Sequence, residues 1–394
     1  RASATFDAMR ALLAFDKFKD ALSAPEACAA AARALASTRP RWTVDSCPLA
    51  DGGEGFGAIL TAAVGGESLP ATVTGPRGNP AAGRVGLVAC DRIPAPARAL
   101  LRLTEVGSGA RVAVIEMASA SGLALLPPGE RDLWHTTTTG TGELMRLAIA
   151  QGAAAIVLGI GGSATNDLGL GALEALGLEF LGADGRRVSP PVPARWRGIV
   201  RIGGKLTPGL PPIRIACDVT NPLLGPRGAA ATYGPQKGLR PGDLTRLDHE
   251  AARLALLLCG RFGRPDELMD VPGTGAAGGI SFGLMAAAGA ELLPGFDLVS
   301  AWLDLEARLA RADIVITGEG RFDDSSLQGK GPGAVAARAL ALGKTVHVFA
   351  GRATAVQPPA GLTLHSITPG DLPLEQALPR AAEFLDRSVR QAFA

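Results

Sequence analysis

Hydrophobic positions along this chain gather in short continuous runs separated by turn formers, with helical periodicity between them. Arg10–Phe15, Trp42–Pro48, Arg111–Met117, Ala153–Leu158, Ala312–Thr317 and Thr345–Ala350 read as strands. Ser23-Ala24-Pro25-Glu26 is a capping box with proline in the first turn, and it predicts a helix running to about Ser37. Further helices are expected at Gly53–Val64, Leu244–Cys259 and Gly333–Leu342, with a closing helix within Leu374–Ala392. Strand and helix alternate at both ends of the chain, whereas the middle is punctuated by glycine and proline, as in the extended segment Gly75–Val88. The pattern predicts one α/β domain assembled from residues 9–84 and 297–394 and split by a long insertion, 85–296. Residues 1–8 read as a leader or expression remnant, with Met9 the natural start. No internal repeat is present.

Composition narrows the class. Hydrophobic residues make up 47% of the chain, charged residues 19%, and the net charge is +2, so neither nucleic acid nor an acidic surface is an expected partner. Five cysteines without a CxxC pair predict buried thiols in a reducing, cytoplasmic setting. Four histidines, none in a metal-binding spacing, argue against structural zinc and leave any metal to oxygen ligands. Two uncharged stretches, Leu147–Asn166 and Val271–Ala290, have the length of membrane spans but not the composition. Gly275, Gly279 and Gly283 repeat as GxxxG in the second, which predicts a close-packed buried helix.

The candidate chemistry sits on strand ends. Five segments couple a short apolar strand with a glycine-rich or carboxylate-bearing turn: Asp51–Gly55, Gly140–Glu143, Gly161–Asp167, Cys217–Pro222 and Thr317–Asp323. The most informative is Leu158–Asp167, where a strand runs into glycines, small hydroxyls, an amide and then a carboxylate at an expected helix start. Such a turn can offer N–H groups to a phosphate, and Asp167 can hold a metal or take a proton. With Lys19, Lys237, Arg321 and Lys330 the set offers what phosphoryl transfer needs: backbone donors, oxygen ligands for Mg²⁺, cations, and a base. A Walker A loop is absent, because Gly343-Lys344-Thr345 leads into a strand and Arg338 stands where the first glycine belongs. Gly273–Gly278 matches GxGxxG, and Gly159–Ala164 matches its GxGxxA variant, so a dinucleotide site stays open at this point. His135 borders a threonine run and is a lesser candidate ligand contact.

Taken in order, these segments resemble the glycerate kinase family, in particular the bacterial glycerate 2-kinases. The resemblance rests on Ala14–Ala24, Pro48–Gly55, Glu116–Leu123, Thr139–Leu144, Ile160–Asp167, Ala216–Leu223, Tyr233–Gly238, Gly275–Gly279 and Thr317–Asp323, and it extends from about Met9 to the C-terminus. Three positions depart from the family pattern. Asp20-Ala21 stands where Gly-Ser is usual, Phe56 replaces a threonine, and Leu168 occupies a glycine position, which reads as a helix starting there without positive φ.

The resemblance implies ATP-dependent phosphorylation of D-glycerate, at the 2-hydroxyl, with Mg²⁺. It also implies two α/β domains: a flavodoxin- or Rossmann-like parallel-sheet domain formed by both chain ends, an inserted second domain, and an active site in the cleft. By that resemblance Asp51, Asp167 and Lys19 are the catalytic candidates, and Asp167 and Asp218 the metal candidates. Asp16, Lys19, Arg321 and Asp218 are expected at the substrate. Gly161, Gly162, Ser163, Thr165, Gly318, Glu319 and Gly320 are expected at phosphate or nucleotide, with Asp323 nearby. The enzyme would act as a monomer or homodimer. Two other readings of the residues are a nicotinamide-dependent oxidoreductase of a small hydroxy acid and a non-catalytic sugar-acid sensor.

Overall fold

The computed structural model describes residues 8–394 apart from 104–105, 108, 324–325, 327–330, 355–357 and 371. The expected leader, Ala8 aside, and Lys330 therefore lie outside the described residues. The chain forms two compact units, one from residues 1–51 and 299–394 and the other from 52–298.

The chain enters the first unit through β1 (Arg10–Phe15), the helix Ala24–Thr38 and β2 (Thr43–Ser46). Residues 11–15 of β1 are all buried, as a central parallel strand covered on both faces requires. The helix starts on the predicted capping box: Ser23 Oγ accepts the Glu26 N–H, and the Glu26 carboxylate accepts the Ser23 N–H at 2.8 Å. Its alanine-rich inner face lets it pack closely on the sheet and on the closing helix Ala381–Ala392.

Among the described residues the second unit carries eight strands. Six form one sheet: β3 (Glu67–Thr74), β4 (Pro80–Ala89), β5 (Arg111–Glu116), β6 (Ala153–Gly159), β9 (Ile213–Ala216) and β10 (Glu291–Leu293), in the order β10-β9-β6-β5-β4-β3. β5, β6, β9 and β10 run parallel, and β3 and β4 form an antiparallel edge. β7 (Leu178–Leu181) and β8 (Arg201–Gly204) make a separate two-stranded ribbon. The helix Thr139–Ala150 lies on the sheet, and the amphipathic Leu244–Phe262, which buries Leu247, Ala251, Leu254, Ala255 and Leu258, packs on the helix Ile280–Ala288 and on β8.

The chain then returns to the first unit as β11 (Ile314–Phe322), the helix Gly331–Ala341, β12 (Thr345–Ala353) and β13 (Leu362–Ser366). The five parallel strands lie in the order β13-β12-β11-β1-β2. This is the flavodoxin order, and it reverses direction between β1 and β11. Ligands of open α/β sheets bind beyond the carboxyl ends of the strands at that reversal.

Three sequence expectations change here. The first boundary falls at 51/52 instead of 84/85, because β3 and β4 extend the insert's sheet through the β4–β5 pairing. The second falls at 298/299 rather than 296/297. Val271–Ala290 is not one helix: only Ile280–Ala288 is helical, and Gly279 sits at φ +86° as its N-cap. The GxxxG glycines instead allow close backbone approach, since a Cβ at Gly275 would strike the Pro222 carbonyl and one at Gly283 the Leu168 carbonyl. Among the described residues no helix is long and apolar enough to cross a membrane.

Candidate functional site

The first unit opens a cavity of about 530 Å³ at the carboxyl ends of β1 and β11, lined by Asp16, Lys17, Lys19, Asp51, Glu319 and Arg321 among others. β1 ends at Phe15, so Asp16 is the first residue beyond it, fixed by its N–H bonding the Gly318 carbonyl at 3.0 Å. Glu319 lies in the register of β11 that pairs with Ala350 of β12. Backbone crowding explains the glycines around it. A Cβ at Gly318 would strike the Phe349 carbonyl, one at Gly351 the Gly320 carbonyl, and one at Gly320 would come within 3.2 Å of the Lys19 nitrogen.

Charge in this cavity is unevenly held. Burial first, and then repulsion from Asp51, push the Asp16 carboxyl up to about 6, against the lowering effect of Lys17. Glu319 is pushed up to about 7, again by burial first, with repulsion from Asp16, Asp323 and Asp51 adding to it and a hydrogen bond from Ser326 opposing. Lys17 Nζ bonds Asp51 Oδ1 at 2.9 Å, and Arg321 Nε lies 3.2 Å from Asp323 Oδ2. Asp16, Asp51, Lys19, Gly318, Glu319, Gly320, Arg321 and Asp323 are thus brought to one end of one sheet. β11 runs through to Phe322, so Gly318–Phe322 belong to the strand and not to a turn after it.

The second unit builds its glycine turn from backbone. β6 ends at Gly159, and the turn packs directly on the 52–55 segment: the Gly161 N–H bonds the Gly52 carbonyl at 2.9 Å, and a Cβ at Gly161 would come within 2.7 Å of the Gly53 Cα. The Ala164 N–H bonds Ser121, and the Gly162 carbonyl accepts from Leu123. Gly162 takes φ +72°, and among the described residues the N–H groups of Gly162 and Ser163 find no intramolecular acceptor. Successive free N–H groups about a left-handed residue form an anion-binding concavity. Thr165 Oγ1 and Asn166 Oδ1 are buried here without hydrogen-bond partners. Orphaned buried polar atoms of this kind mark a place where a ligand or water completes the structure.

Asp167 does not belong to that opening. It is buried, with Oδ2 accepting the Thr138 N–H at 2.8 Å, the Thr138 hydroxyl at 2.9 Å and the Gly171 N–H at 3.2 Å, while Oδ1 accepts the Gly169 N–H at 3.1 Å. Burial raises its pKa on balance, with these four donors opposing. A carboxylate held by four donors acts as a clamp on the chain, a structural role beside the catalytic and metal roles expected of it. Of the expected metal pair with Asp167, Asp218 Oδ2 accepts the Phe296 N–H at 2.9 Å. Among the described residues no three acid, histidine or cysteine side chains gather as a ready-made metal cage.

Other expectations shift locally. Leu168 adopts φ +57° and Asp20 φ +61°, so the two glycine positions that this chain fills with other residues keep the left-handed backbone. The helix begins only at Leu170, not beside Asp167. Gly140–Glu143 is not a strand-end turn but the first turn of the helix Thr139–Ala150, and its Glu143 carboxylate bonds Thr74. Gly273–Gly278 follows no strand, which removes its dinucleotide context. His135 is exposed and bonds Asp132 through Nδ1 at 2.7 Å.

Two residues acquire roles that no local pattern announces. The Glu116 carboxylate accepts the N–H groups of Gly55 and Gly57, capping the helix Phe56–Ala63 and fixing the segment beneath the glycine turn. Lys237, expected as a cation for transferring charge, is turned inward and buried; its Nζ bonds Ser163 Oγ at 2.8 Å and the Thr165 carbonyl at 2.7 Å. Burial lowers its pKa to about 7.

These features agree with what the chain matches. The model of the glycerate kinase family covers residues 11–394. The chain is 39% identical to the glycerate kinase of Bacillus subtilis (strain 168) over 389 residues, which is 97% of this chain and 96% of that one. It is also 39% identical to the glycerate 2-kinase of Escherichia coli (strain K12) over 349 residues, 88% and 86% of the two chains. A crystal structure assigned as a glycerate kinase 2 from Salmonella typhimurium LT2 superposes with a TM-score of 0.76 at 37% identity, covering 98% of this chain and 97% of the other. On sequence and on fold together, the chain belongs to the glycerate kinase family.

Proposed function

We propose that this protein transfers the γ-phosphoryl group of ATP to the 2-hydroxyl of D-glycerate, giving 2-phosphoglycerate and ADP. The observation that carries the proposal is the switch-point cavity, where two partly desolvated carboxylates, Asp16 and Glu319, face the same space as Lys17, Lys19 and Arg321. Phosphoryl transfer asks for little covalent chemistry from a protein: positioning, charge neutralisation and a proton acceptor suffice. Glu319 is the proton acceptor in this account, because a group pushed up to about 7 has a substantial basic fraction at neutral pH and still holds the proton it takes. The 2-hydroxyl oxygen bonds the γ-phosphorus, the bond from that phosphorus to the β,γ-bridging oxygen breaks, and the hydroxyl proton passes to Glu319. Lys19 and Arg321 balance the glycerate carboxylate and the moving phosphoryl charge. Similarity to a glycerate 2-kinase supports the choice of hydroxyl.

The residues present fit Mg²⁺. Asp51 repels both Asp16 and Glu319, and the field that holds protons on those two attracts a dication to hard oxygen donors. Asp16 and Asp51 would hold the ion, which when bound neutralises charge building on the phosphates. In the second unit Gly162 and Ser163 would offer N–H groups to a phosphate, with Gly161 and Asp167 shaping the turn. The buried thiols of Cys28, Cys47, Cys90 and Cys259 support action in a reducing cytoplasm.

The test is to incubate the protein with D-glycerate, ATP and Mg²⁺ and to identify the product by phosphorus NMR. 2-Phosphoglycerate with stoichiometric ADP is expected. 3-Phosphoglycerate would overturn the regiochemistry, and no glycerate-dependent ADP would overturn the reaction.

A further inference from the structure

We infer that Lys237 is a positioning residue that sets the polarity of the Ser163 hydroxyl, turning its proton outward as a donor to a phosphoryl oxygen of bound ATP. The inference rests on the reading of the glycine turn as a phosphate site. A lysine ammonium has three donors and no acceptor, whereas a serine hydroxyl has one donor and two acceptor sites. Lys237 Nζ lies 2.8 Å from Ser163 Oγ, so the serine oxygen must accept, and its own proton must point elsewhere. Among the described residues nothing else bonds Ser163 Oγ, and the turn around it holds the free Gly162 and Ser163 N–H groups and the orphaned Thr165 Oγ1 and Asn166 Oδ1. The remaining direction for the hydroxyl proton is that same unfilled space.

The second Lys237 bond, to the Thr165 carbonyl at 2.7 Å, ties the far side of the turn to the same nitrogen. A buried lysine is costly unless its donors are used, so this placement has a physical reason only in what it holds. The titratable groups that face it are the Asp167 carboxylate, which favours the charged form, and the Tyr233 ring, whose centroid lies 5.9 Å from Nζ. Once Lys237 loses its proton the neutral amine can accept, and Ser163 can then turn its proton inward, withdrawing it from the ligand.

The decisive experiment is a double-mutant cycle read by calorimetric titration with Mg·ATP. Binding of ATP by the wild-type protein is the control that tests the phosphate-site reading itself. Ser163→Ala and Lys237→Met are each expected to weaken ATP about tenfold, as loss of one hydrogen bond to a charged group does. The double variant is expected to be no weaker than Lys237→Met alone. Full additivity, or an unchanged affinity in Ser163→Ala, would overturn the inference. Ser163→Ala removes only one hydroxyl and does not depend on Lys237→Met folding, so a second titration compares it with wild type from pH 6 to 9. Wild-type affinity is expected to fall toward that of Ser163→Ala above about pH 7, and a constant ratio between the two would contradict the role given to Lys237.

Discussion

The two units place a carboxylate just beyond a buried strand in opposite ways. In the first, Asp16 and Glu319 end or line strands at the reversal of the sheet and line a cavity, Asp16 accepting the Lys17 N–H and Glu319 a hydrogen bond from Ser326 among the described residues. In the second, Asp167 follows a strand and a glycine turn but is enclosed by four donors from Thr138, Gly169 and Gly171. In the first arrangement the carboxylates line a cavity where a proton or a cation can reach them, and in the second both carboxylate oxygens already accept from the chain. A strand-end carboxylate is thus a chemical group only where the chain does not consume it, and hydrogen-bond supply, not sequence position, separates the cases.

The largest effect that can sharpen this comparison is on turnover. Glu319→Gln is expected to lower kcat by at least about a hundredfold, the usual loss with a general base, while leaving the fold intact. A near-normal kcat would move the base elsewhere. The same variant carries a signed prediction for stability. Glu319 binds its proton more tightly in the folded state than in the unfolded one, so it lowers stability as pH rises from its ordinary value of 4.5 to about 7. Thermal melts should therefore show Glu319→Gln above wild type at pH 8 and level with it at pH 4.

Asp167→Asn should act on stability. Replacing one saturated oxygen by an amide leaves backbone N–H groups facing a donor, a loss of roughly 2–4 kcal/mol. A thermal or denaturant midpoint that does not move would contradict the clamp. Next in size is Leu168→Gly. It relieves left-handed backbone strain but empties a buried site, and the cavity exceeds the strain by about 2 kcal/mol. Smallest is Asp20→Gly, exposed and also at positive φ, which should be neutral or stabilising by no more than about 1 kcal/mol. Destabilisation there would mean that the Asp20 side chain has a structural partner.

The same contrast marks how far the residues alone could lead. The capping box at Ser23 and the buried run of β1 are local patterns, and they place the first unit's helix start and central strand correctly, while the carboxylates near the ends of β1 and β11 come to line one cavity. The boundary at 84 misleads because β3 and β4 carry the glycine, proline and small residues of a connecting segment, and only their pairing with β5 assigns them to the insert. Lys237 finds its partners 74 and 72 residues upstream, a contact that no spacing rule encodes. Leu168 shows the limit most plainly. A leucine in place of glycine suggests ordinary helical backbone, yet its burial near Gly279 and Gly283 holds it at φ +57° against its own preference.

The most direct test of the central claim, that the chemistry belongs to the open carboxylates and the clamp to Asp167, is kcat measured side by side for Glu319→Gln and Asp167→Asn under saturating Mg·ATP and D-glycerate. The account predicts a loss of at least about a hundredfold in the first and less than about tenfold per folded molecule in the second. The reverse order would contradict it and return the proton to the glycine turn.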